Sequence, residues 1–129
     1  MRYFAAQYVY VGQGKLLKKQ VLGLDKKGNI ASIEPFEGET ASTEFLNGVL
    51  CAAFGQPDKD KQLNPEEAAS FLHRIWKTNK LQPIKDLLNS YTTAPNLRIG
   101  SKPTLWCIES VDLKNLLLKE DSSVYSVFS

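Results

Sequence analysis

The chain is poor in the residues on which most metal and redox chemistry depends. It has one histidine and two cysteines in 129 residues. A single imidazole cannot build a multi-histidine metal site, and two cysteines do not make a disulfide framework. Long apolar runs are lacking as well. None approaches the ~20 residues that a membrane-spanning helix takes, so no membrane partner is expected. Charge of one sign is not concentrated. Sixteen Lys and Arg against 14 Asp and Glu leave a net charge of +2, and the densest basic cluster, Lys15 to Lys19, is interrupted by Leu16 and Leu17. Surfaces that bind nucleic acid gather cations on one face, so no nucleic-acid partner is expected either.

What is present suits one folded domain with a modest core: 43% of residues are hydrophobic and 23% charged. The N-terminal "MRYFAAQYVYVGQG" is apolar but interrupted by Gln7 and three tyrosines, and reads as a strand rather than a signal peptide. Cys51 and Cys107 sit in apolar, strand-like runs, which predicts free buried thiols and a cytoplasmic location, with a disulfide left open.

The first third is strand-rich. Residues 3–11 lead to a "GQG" turn (12–14), which lacks the strand–turn–helix setting of a phosphate loop. Residues 15–25 run into "DKKGN" (25–29), a hairpin connector with Gly28 available for positive φ. Residues 29–36 form a third strand, 37–43 a polar loop, and 44–54 a fourth strand in which Gly48 marks a bend or a close backbone approach. The middle is helical. Asn64 is an N-cap, Pro65 takes the first helical position, and Glu66 and Glu67 complement the helix dipole. Ala68, Leu72, Ile75 and Trp76 define the apolar face. A second helix starts near Pro83, with Ile84, Leu87, Leu88 and Tyr91 as its stripe. The last third returns to strands at 104–113 and 122–128, with 113–121 ambiguous between helical turn and strand. Strands, two helices, then strands predict an α+β, mainly β domain whose two ends share one sheet system.

Two segments carry a family resemblance. Val21, Leu22, Leu24, Asp25, Gly28, Ile30 and Ile33, followed by Gly48, Leu50 and Phe54, resemble the opening strands of the amidohydrolase superfamily of metal-dependent hydrolases. Gly100, Lys102, Pro103, Leu105 and Ile108 resemble the closing strands, in the variant of deaminase-type aminohydrolases. The resemblance covers roughly residues 3–54 and 97–128. In that family the two terminal pieces join as a small β-sandwich, the composite domain, beside a (β/α)8 barrel that holds the metal. The resemblance therefore implies a β-sandwich of strands 3–54 and 97–128, with a helical insert at about 64–91 where the barrel would stand. A barrel takes about 250 residues, and only residues 55–96 lie between the two pieces. The His-x-His that should follow Phe54 is absent, and Ala52-Ala53 replaces the family's Pro-Gly.

Aligned on Phe54, Asp58 and Asp60 fall near the places of those two histidines. With His73 they are the candidate metal ligands, and carboxylates do take hard cations. Lys59 and Lys61 beside them favour a solvated, charge-balanced loop. His73 sits mid-helix on the shoulder of the apolar stripe without a sequence partner, as a structural or surface histidine does. Trp76, Tyr91 and Trp106 are candidate ligand-binding aromatics, the competing reading being that they are core. No catalytic residue and no cofactor is assigned. The expected function is that of a non-catalytic remnant of an amidohydrolase-like enzyme, a pseudoenzyme with a structural or interaction role. Two alternatives stand beside it: a residual metal-dependent hydrolase acting on C–N bonds, and a small-molecule-binding module. A homo-oligomer or a partner protein is expected to cover the surface a barrel would occupy.

Overall fold

The computed structural model describes residues 2–12, 14–37, 42–51, 64–79, 81–91, 99–100 and 105–128. The elements run β1 (Arg2–Gly12), β2 (Lys15–Leu24), β3 (Ile30–Pro35), β4 (Thr43–Cys51), α1 (Pro65–Thr78), α2 (Ile84–Tyr91), β5 (Leu105–Glu109) and β6 (Ser123–Phe128). The fold class is α+β, mainly β.

The six strands form one hydrogen-bonded sheet in the order β3-β2-β1-β4-β5-β6. Two antiparallel meanders meet at its centre, where β1 and β4 pair in parallel. The expected sandwich of two sheets is not seen among the described strands. β4 pairs with β1 on one side and β5 on the other, so all six strands belong to one sheet. That pairing does place the N-terminal and C-terminal strands in one sheet, through Val49 with Ile108, Leu50 with Cys107 and Cys51 with Trp106.

Local chemistry accounts for the turns and caps. Asp25 Oδ1 accepts from the backbone N–H groups of Lys27 and Asn29, both at 2.9 Å. Gly28 supplies the positive φ, +84°, that this turn needs. At α1 the Asn64 side chain accepts from Glu67 N–H at 2.8 Å, and Glu67 reaches back to Asn64 N–H. This is a full capping box. Residues 113–121, ambiguous in sequence, are neither helix nor strand, and the strand expected over 104–113 ends at Glu109. Asp112 and Leu117 close a small turn by an isolated bridge, and Leu116 C=O accepts from Ile84 N–H at 2.8 Å, holding the start of α2.

Each face of the sheet has its own core. On one, Tyr10, Val49, Cys51, Trp106, Ile108 and Val124 pack under Ala68, Phe71, Leu72 and Ile75 of α1 and Ile84, Leu87 and Leu88 of α2. On the other, Phe4, Ala6, Val9, Leu22, Leu24, Ile30, Leu46, Leu50, Leu105 and Cys107 form a second cluster containing no described helical residue. Gly100 N–H donates to Ile30 C=O at 2.7 Å. This bond places Gly100 at the start of β3.

Candidate functional site

The residues singled out by sequence are only partly among those described. Asp58 and Asp60 lie outside the described residues. His73 is exposed on α1, its ring 5.7 Å from that of Trp76. Trp106 is 2% exposed, buried on the helix-covered face, and Trp76 is half-buried against the same cluster. Both tryptophans therefore serve as core, and Trp106 offers no open platform. Tyr91 ends α2, and its side chain is outside the described set. Among the described residues no group of three or more His, Cys, Asp or Glu is placed to hold a metal ion.

The cysteines are adjacent but cannot join. Cys107 pairs with Leu50 across the ladder and Cys51 with Trp106. Cys51 belongs to the helix-covered core and Cys107 to the opposite one. Side chains on opposite faces of a sheet diverge, and both thiols are free and buried. Burial pushes the Cys51 thiol up to about 12, with neighbouring Cys107 adding to the effect. Burial also raises Cys107, while a hydrogen bond with Tyr125 pulls the other way. Tyr125, its cross-strand neighbour, is raised in turn by burial and by that bond. Thiols held neutral in this way are poor nucleophiles and poor metal ligands.

A polar arrangement that links three strands lies where the central strands lose register, and the sequence reading found only its glycine. Alternation would put Phe4, Ala6, Tyr8 and Tyr10 on one face. Instead Phe4 and Ala6 enter the second cluster while Tyr8 and Tyr10 enter the first. The switch falls at Gln7. There the β1–β4 register slips by one residue, between the Ala6–Leu46 and Tyr8–Val49 pairs. On the other side of β1, Lys19 takes a positive φ of +51°. Gly48, the extra residue of β4, has φ +133°, and a Cβ built on it would lie 2.0 Å from the Ile108 carbonyl oxygen. The close approach expected at Gly48 is thus real, and only glycine fits.

The Gln7 side chain fills the gap in the ladder. Its Oε1 accepts from Gly48 N–H, and its Nε2 donates to Asn47 Oδ1 at 3.4 Å. From the other direction, Cys107 Sγ donates to the Asn47 backbone carbonyl at 3.8 Å. A glutamine in a strand-like run carries no motif, so nothing local in the sequence announces this role. The arrangement satisfies backbone groups that the bulge leaves unpaired. It contains no group poised as an acid, base or nucleophile.

Comparison with known proteins finds no matching family model, no matching curated protein and no matching solved structure.

Proposed function

We propose that the chain is a non-catalytic module descended from the composite β domain of an amidohydrolase-like enzyme, with a structural or interaction role, acting in the cytoplasm without nucleic acid or membrane as partner. The observation that carries this reading is the pairing of β4 with β5. The two segments that resemble the family, at opposite ends of the chain, meet as neighbours in one sheet. The 53 residues between these strands (52–104) contain α1 and α2, which pack on the sheet face beside the junction. On this reading the helices stand where a barrel would otherwise be inserted. A homo-oligomer or a partner protein completes the surface.

Metal analysis and light scattering on the purified protein test it together. The expected protein is free of stoichiometric divalent metal, and its mass exceeds that of a monomer, alone or with a co-purifying partner. One bound Zn²⁺ or Mn²⁺ per chain, with hydrolysis of a cyclic C–N substrate, overturns it in favour of a residual hydrolase.

A further inference from the structure

Asn47–Gly48 is the one Asn-Gly step in the chain. Such steps are the most prone to spontaneous deamidation, because glycine leaves its own nitrogen unhindered. In that reaction the Gly48 backbone nitrogen bonds to the Asn47 side-chain carbon and gives up its proton. The side-chain nitrogen departs as ammonia, leaving a succinimide, and water then opens the ring to aspartate or isoaspartate at position 47. Ring closure requires the Gly48 nitrogen to be free and the Asn47 backbone to rotate toward its own side chain.

Each requirement is opposed. The Gly48 N–H is held by Gln7 Oε1, and the Asn47 side-chain oxygen by Gln7 Nε2. The Asn47 backbone carbonyl accepts from the Cys107 thiol. A Cβ on Gly48 would meet the Ile108 carbonyl oxygen at 2.0 Å, so the backbone there lies close against β5. Asn47 itself is exposed, so water is available to any ring that does form. We propose that Asn47–Gly48 is a latent succinimide-forming site that Gln7 holds closed in the folded chain. Opening it would be irreversible. An isoaspartate adds a methylene to the β4 backbone at the point where β4 is pressed on β5, so the modified chain could not rebuild the bulge.

The test is peptide mapping by mass spectrometry after incubation at mildly alkaline pH. It compares the native protein, the urea-unfolded protein, Gln7→Ala, and Ile75→Val as a control lowered in stability without touching the site. Native protein is expected to deamidate at Asn47 far more slowly than unfolded protein. Gln7→Ala is expected to be roughly tenfold faster than native, the rate factor that matches loss of the clamp's hydrogen bonding. Ile75→Val should stay near the native rate. The proposal is overturned if native and unfolded protein deamidate alike, if Gln7→Ala matches native, or if Ile75→Val accelerates the reaction as much as Gln7→Ala at equal loss of Tm.

Discussion

The two faces of the sheet are buried by different means. One is covered by two amphipathic helices whose apolar stripes follow the 3.6-residue period. The other is a cluster of strand residues with no described helical residue in it. Both nevertheless bury large aliphatic side chains: Leu72 is 2% exposed on the first and Leu50 0% on the second. The two helices of the first face can be traced to short stretches of sequence. The strand residues of both faces come from both ends of the chain, and the faces exchange partners at Gln7 and Gly48. At the seam between them Gly48 leaves no space for a Cβ and Gln7 bonds the backbone that the register slip exposes.

The strongest way to break that seam is Gly48→Ala. Its Cβ meets a backbone carbonyl that cannot move without parting β4 from β5, and its φ disfavours any side chain. A loss above about 4 kcal/mol is expected, read by urea unfolding, and a soluble variant of native stability would show that the β4–β5 contact is looser than described. Next come Leu72→Ala and Leu50→Ala, one on each face. Each should cost about 2–5 kcal/mol. If the two cores belong to one cooperative unit, both variants will show a single transition by far-ultraviolet circular dichroism and by tryptophan fluorescence. Should Leu72→Ala melt the helices alone, the faces are independent.

The smallest effect concerns pH. Cys51 titrates near 9 in an ordinary setting and about 12 here. The folded chain therefore keeps its proton where the unfolded chain has lost it. The stabilisation is complete below pH 9 and drains away as pH rises from about 9 toward 12. Cys107 and Tyr125 act in the same sense on the opposite face. Cys51→Ala should flatten part of the alkaline fall in unfolding free energy but not all of it. An unchanged slope would assign the whole effect to the Cys107–Tyr125 face.

Much of the fold was legible because its signals are local. The capping box at Asn64, the hairpin at Asp25 to Asn29 and the two helical stripes need only near neighbours along the chain, and each stands where the spacing predicts. Strand alternation does not assign the faces of β1, because it assumes an unbroken pleat. The register slip opposite Asn47 and Gly48 reverses it. Trp106 was undecided for a related reason: apolar spacing cannot say whether it faces solvent or a helix, and it lies buried in the cluster shared with the helices. The polar seam was illegible because its members, Gln7, Asn47 and Cys107, lie 40 and 60 residues apart.

By itself the sequence determined the element order, the caps and turns, and the poverty of imidazole and thiol that argues against a transition-metal site. These depend on residue chemistry and on separations of a few positions. Only the tertiary structure decided that the strands make one sheet instead of two, that the two cysteines point to opposite sides, and that a glutamine closes the gap beside Gly48. Those outcomes follow from which strands pair and in what register. Register is a long-range property, set where side chains from distant segments must fill the same space.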